Sequence, residues 1–194
     1  DTIKAVRKVV ETETRDWPEN LKIGFSQDES HRILDMVRDL QNNIILAVLL
    51  VMIIIAQSLG WRSALLVGLA VPGSFLMGIY VIGLFGITLN IIVLFSLILA
   101  VGMLVDGAII VVEFADRKMI EGLAAQEAYK YAAQRMAWPV ISSTLTIIFV
   151  FIPLLFWPGT IGQVMKYLPL TLIATLTASI LMALIFIPTL GGIF

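Results

Sequence analysis

The sequence predicts a mainly α protein: a polytopic membrane bundle of five transmembrane helices, preceded by a small extracytoplasmic α/β remnant at the N-terminus. Three observations predict it. Hydrophobic residues make up 59% of the 194 and charged residues only 14%, with a mean hydropathy of +0.98. That balance leaves too little polar surface to cover a water-soluble domain. The charges are also segregated: 16 of the 27 fall within 1–39, and between Asp39 and Asp116 only Arg62, Asp106 and Glu113 are charged. The net charge of −1 therefore averages two unlike regions and identifies no partner. Finally, five stretches are apolar over the ~20 residues needed to cross a hydrocarbon core of ~30 Å.

Residues 1–30 read as the end of a folded extracytoplasmic domain. Ile3, Val6, Val9 and Val10 share one helical face, "DWPEN" turns at Pro18, and 21–25 alternates like a short strand. One helix and one strand cannot bury a core, so the rest of that domain, and a partner for Trp17, are expected upstream. The chain opens on Asp1 with no basic n-region and short apolar stretch of a signal peptide and stops after an apolar span. It reads as an excised part of a longer chain. Residues 29–40 form a polar helix, carrying a solvent-facing His31, that leads into the first span as one rod.

The bundle occupies 31–194, with spans at about 43–59, 64–84, 89–114, 140–157 and 167–190. Pro72 and Pro153 fall inside spans two and four, where membrane helices tolerate proline and kinks are expected. Residues 124–137 read as a short interfacial helix in the loop before span four, with Tyr129, Met136 and Trp138 at headgroup level. Trp61 and Trp157 stand at span ends, as aromatic belts do. Basic residues set the orientation: Arg62, Arg117, Lys118, Lys130 and Arg135 lie in one set of loops and only Lys166 in the other. The positive-inside rule then places the N-terminal segment outside and the C-terminal end in the cytoplasm.

The chemistry points to one residue. Asp106 lies inside an almost unbroken apolar run, "ILAVGMLVDGAIIVV", and an ionised carboxylate at that depth costs roughly 2.5–3.5 kcal/mol on insertion scales. Such residues face bundle interiors and serve proton or ion pathways. Burial raises a carboxyl's proton affinity and a nearby cation lowers it, the pairing a proton-coupled transporter exploits. The alternative is a structural carboxyl, hydrogen-bonded to a hydroxyl and never titrating. Gly102, one turn before, and Gly107, directly after, allow close helix packing at this point. Glu113 follows at i+7 on the same face, and it also stands at the spacing of an ion pair with Arg117.

Hydroxyls on the later spans, Ser142, Ser143, Thr144 and Thr146 on the fourth and Thr171, Thr175, Thr177 and Ser179 on the fifth, are candidates for helix ties or for relaying protons. Asp106, Glu113 and Thr175 form the candidate relay. No lysine or arginine in these spans matches the depth of Asp106, so a cationic partner is expected in sequence beyond this chain. Zero cysteines and a single histidine exclude disulfides and thiolate or histidine-based metal sites. No nucleophile–base pair stands at membrane depth, which argues against an enzyme.

With these residues in view, "GMLVDGAIIVVEFADRKMIEG" resembles the fourth transmembrane helix of the RND (resistance-nodulation-division) multidrug and metal efflux permeases of Gram-negative inner membranes. "SLGWRSALLVGLAVPGSFLMGIYVIGLFGITLNIIVLFSLILAVG" is similar to the family's second-to-fourth helix region, and "FVFIPLLFWPGTIGQVMKYLPLTLIATLTASILMALIFIPTL" to its fifth and sixth helices. The resemblance makes 1–30 the end of a periplasmic porter domain, and the bundle helices two to six of a six-helix half. It implies a trimeric proton antiporter driven by the proton motive force without a cofactor. It also implies a periplasmic adaptor, an outer-membrane channel and surrounding lipid as partners, and no nucleic acid. By motif position Asp106 matches the first relay aspartate, which family members join to a lysine of the second half. Where the drug-efflux members carry a second aspartate this chain has Gly107, a single-carboxylate pattern similar to that of metal-efflux members. Two other readings compete: a lipid or protein-export transporter of the same fold, and a sterol-sensing-like structural bundle that moves no ion.

Overall fold

The computed structural model describes residues 2–14, 17–18 and 30–193. The chain is mainly α, and no strand occurs among the described residues. The strand expected at 21–25 and the side chain of His31 lie outside them. Helix α1 (Thr2–Glu13) is amphipathic as expected, and Val6 and Val9 on its apolar side are solvent-exposed. Then come α2 (Ser30–Leu59), α3 (Trp61–Leu84), α4 (Ile91–Met103), α5 (Asp106–Ile120) and α6 (Ala125–Phe151). A 3-10 turn (Ile152–Phe156), α7 (Gly159–Met165), α8 (Tyr167–Leu181), a π-helical turn (Met182–Phe186) and α9 (Ile187–Gly191) complete the order. Five stretches are long and apolar enough to cross a membrane: Arg32–Leu59, Trp61–Leu84, Ile91–Ile120, Ala125–Phe156 and Gly159–Gly191.

Local chemistry sets the helix ends. Asn90 opens α4, its side-chain oxygen accepting from Ile92 N at 2.9 Å and Val93 N at 3.0 Å, which satisfies two of the donors a helix start leaves free. Gly86 (φ 69°) and Gly122 (φ 102°) close α3 and α5 in the left-handed conformation that glycine adopts without penalty. Each does so with a pair of bonds of the Schellman pattern, Ile87 N to Ile82 O with Gly86 N to Gly83 O, and Leu123 N to Lys118 O with Gly122 N to Met119 O.

Two boundaries differ from the sequence reading. The interfacial helix expected at 124–137 and the span expected at 140–157 are one helix, α6, which runs through Pro139. At 27 residues and ~1.5 Å per residue it is ~40 Å long, so its first turns project beyond a ~30 Å core. Trp138-Pro139 resembles a helix boundary because proline lacks a donor and restrains the preceding residue, but packing against α5 carries the helix through. Pro153 instead sits in the 3-10 turn that ends this span. The third span runs from Ile91 to Ile120 and is interrupted at Leu104–Val105, between α4 and α5.

The core has two parts, one toward each end of the bundle. One gathers the first half of α3 with α5, the start of α6, Ala183 and Ile187. The other gathers the second half of α3 with α4, α8 and the end of α6. Leu104 belongs to the second and Val105 to the first, so the interruption lies at the seam between them. Helix α2 exposes Ile45, Leu46, Leu49, Leu50, Ile53 and Ile54, an apolar face suited to lipid.

Helices α3 and α8 meet at a small-residue contact. A Cβ built on Gly78 would stand 2.9 Å from Thr175 Cα, and because the obstacle is backbone it cannot rotate away. Close approach through small residues is a main source of cohesion between membrane helices. Gly78→Ala is expected to destabilise the bundle by about 1–3 kcal/mol, the usual cost of overpacking, and Gly78→Val by more. Thermal unfolding of the two variants in detergent checks the order.

Candidate functional site: an interrupted helix at mid-span

Asp106 stands midway along Ile91–Ile120, at the first position of α5. Leu104 and Val105 keep right-handed helical dihedrals, so the chain holds its direction while the hydrogen-bond ladder lapses between the two helices. Backbone that leaves the ladder at this depth must be satisfied by other protein groups. Leu104 and Val105 are buried, and Ser179 Oγ of α8 donates to the Leu104 carbonyl at 2.9 Å. The lapse also exposes a helix start, whose partial positive charge lies beside the Asp106 carboxylate.

Gly102, Asp106 and Glu113 share the exposed face of α4–α5, together with Phe95 and Leu99. Among the described residues no hydrogen bond or ion pair reaches the Asp106 carboxylate. Space above Gly102 is open, with no atom within 4 Å of a built Cβ. The opposite face is closed. A Cβ at Gly107 would meet Val140 Cγ1 at 3.0 Å and Ala183 Cβ at 3.5 Å, and Ala183 belongs to the π-helical turn. Such turns widen a helix by one residue and concentrate at functional sites. Gly107 is thus the close packing point, and Gly102 borders the open face.

Glu113 accepts from Arg117 Nη2 at 3.2 Å on the exposed surface. Thr175 is fully buried against α3, its hydroxyl donating to the Thr171 carbonyl at 2.7 Å. Of the hydroxyls singled out on α6 and α8, it is Ser179, one turn beyond Thr175, that reaches the interrupted helix. Sequence alone marks eight such hydroxyls without ranking them. Ser142, Ser143, Thr144 and Thr171 bond to carbonyls of their own helix; Ser179 crosses to another. Ser179→Ala would leave the Leu104 carbonyl unpartnered, and we expect a loss of about 0.6–2 kcal/mol, with Ser179→Thr closer to native. Chemical unfolding of both variants measures it.

The two ends of the bundle are chemically unequal. Arg62, Asp116, Ala125, Tyr129 and Gly191 line one cavity, which brings the helix ends near Arg62 together with the 117–135 region and its basic residues. Phe85, Ile87, Lys166 and Tyr167 line another, at the end where α2 begins with Arg32 and Arg38 among acidic residues; Lys166 is the basic residue of the short connections there.

A mid-span carboxylate at an interrupted helix, on a bundle whose basic loop residues gather at one end, fits a known family, and the whole chain, residues 1–194, matches the AcrB/AcrD/AcrF family. The chain belongs to that family. It is 32% identical over 194 residues to the toluene efflux pump membrane transporter TtgE of Pseudomonas putida, covering 98% of this chain and 18% of that protein. To the toluene efflux pump membrane transporter TtgB of the same species it is 29% identical over 192 residues, 98% of this chain and 18% of the relative. To the multidrug export protein AcrF of Escherichia coli it is 28% identical over 192 residues, 98% of this chain and 19% of the relative. The chain therefore spans about a fifth of the length of the curated relatives it matches. The efflux-permease family implied by the resemblance is the family found, and the chain is a multi-pass membrane protein segment.

Proposed function

We propose that this chain is the proton-handling part of an inner-membrane efflux permease, with Asp106 as the proton carrier of an antiport driven by the proton motive force. The observation that carries the proposal is the setting of Asp106: mid-span, at a helix interruption, on an open face, with no partner among the described residues. A carboxylate kept at such depth without a structural bond has a function outside the fold's own cohesion. The exported compounds are small toxic molecules, a reading supported by relatives named for toluene, solvent and multidrug efflux. The open face of α4–α5 is where the second half of the full-length protein docks and supplies the cation that pairs with Asp106. Glu113 then lies on the same face toward the basic end, as the exit side of the path, and Thr175 holds α8 in register against α3.

In this reading the basic end of the bundle is cytoplasmic, supported by the positive-inside rule, and the N-terminal segment is periplasmic. The full-length protein works as a homotrimer with a periplasmic adaptor and an outer-membrane channel. The test is substrate-dependent proton flux by the full-length permease in vesicles under an imposed pH gradient, native against Asp106→Asn. Flux unchanged in the variant would refute the assignment. Because this chain has no cysteine, single cysteines placed in the 60–62 turn and the 158–160 turn, in a cysteine-free permease, report sidedness by membrane-impermeant labelling.

A further inference from the structure

Where α2, the first half of α3 and α9 converge, they leave an apolar groove of about 590 Å3. Met52, Leu65, Leu69 and Leu190 line it, and Trp61 and Arg62 stand at one end. Leu65, Leu69 and Trp61 are exposed, so the groove opens outward from the bundle. From Arg62 to Leu69 the groove follows about 10 Å of α3 at ~1.5 Å per residue, which keeps it inside one ~15 Å leaflet of a ~30 Å core. Gly68 lets α2 close its floor: Met52 packs so closely over this position that a Cβ would meet its sulfur.

Arg62 is the sole charged residue between Asp39 and Asp106, and the groove's lining contains no acid. Asp116 lines the cavity on the other side of Arg62, yet no ion pair joins the two. A guanidinium presents a planar fork of donors suited to phosphate oxygens, and an indole at a span end sits at headgroup level. An apolar trough ending in an indole and a guanidinium with no acid paired to it among the described residues has the chemistry of one occupant. We infer that this groove holds an anionic phospholipid of the leaflet that Arg62 faces, its phosphate on Arg62 and an acyl chain along Leu65 and Leu69. Charge complementarity selects it over a zwitterionic lipid, whose ammonium group would meet no acid in the groove. The inference is independent of proton coupling at Asp106.

The experiment is native mass spectrometry of the full-length permease extracted from vesicles of mixed phosphatidylglycerol and phosphatidylethanolamine, counting retained lipids. The native protein is expected to retain phosphatidylglycerol about five-fold more strongly than phosphatidylethanolamine, the preference one basic side chain confers at an anionic surface. Arg62→Gln removes the preference and Arg62→Lys keeps part of it, while Leu69→Trp fills the groove and lowers retention of the lipid with the charge intact. The inference is overturned if Arg62→Gln keeps the native preference. It is equally overturned if Leu69→Trp leaves the retained count unchanged, as it would were another segment of the permease filling the groove.

Discussion

Asp106→Asn is expected to reduce substrate-coupled proton flux by about 100-fold or more, the scale on which removing a positioned proton-transfer group acts. Asparagine matches aspartate in shape and keeps an acceptor oxygen, so helix packing around the interruption is preserved while the titratable group is lost. The setting makes the result discriminating. No described residue bonds to the carboxylate, and the side chain projects from the face of α4–α5 that also carries Gly102 and Glu113. Were the carboxyl purely structural, bonded to a group of the docked second half, Asn would substitute for it with little change in flux. Asp106→Glu keeps the proton but moves it by one methylene, and is expected to retain a measurable fraction of flux. Equal flux from the native protein and the asparagine variant, both assembled to the same extent, would remove proton coupling from this residue.

Gly107→Asp carries the second large effect. The drug-efflux members that this sequence resembles have an aspartate at that position, yet here a Cβ would begin 3.0 Å from Val140 Cγ1 and 3.5 Å from Ala183 Cβ. A carboxylate added there starts against two apolar side chains, and the nearby hydroxyls of Ser143 and Thr144 are already bonded to the Val140 carbonyl. Its expected cost is about 3 kcal/mol, the scale of an unpaired charge at mid-bilayer. Gly107→Ala should cost less, about 1 kcal/mol at the low end of overpacking, because the Val140 methyl needs to yield by only a few tenths of an ångström. Trimming the obstacle in the double variant Gly107→Asp with Val140→Ala should recover part of the loss, a coupling that unfolding measurements on the four-member cycle would read directly. Additive effects would mean that Val140 does not decide why this chain has one carboxylate rather than two.

Much of this protein is settled by composition and spacing. Apolar runs of about 20 residues determine that five segments cross a membrane, since a polar backbone in lipid has little choice but the helix. The unequal sharing of arginine and lysine between loops tells the two sets of loops apart, and the isolation of Asp106 among apolar residues marks it without any fold. Helix joints are harder to read. Trp138-Pro139 carries the local marks of a boundary and is mid-helix, while Leu104–Val105 carries none beyond nearby glycines and is an interruption. Both depend on neighbours distant in sequence: α5 packs along α6, and Ser179, 75 residues away, satisfies the carbonyl that the interruption releases. Thr175 and Ser179 are indistinguishable as letters on one helix face, and only the packing of α8 turns one inward against Gly78 and the other across to Leu104. Hydropathy is a sum over a segment and survives any arrangement of its neighbours. A hydrogen bond or a close van der Waals contact belongs to a pair, and the pair exists only once the helices have met.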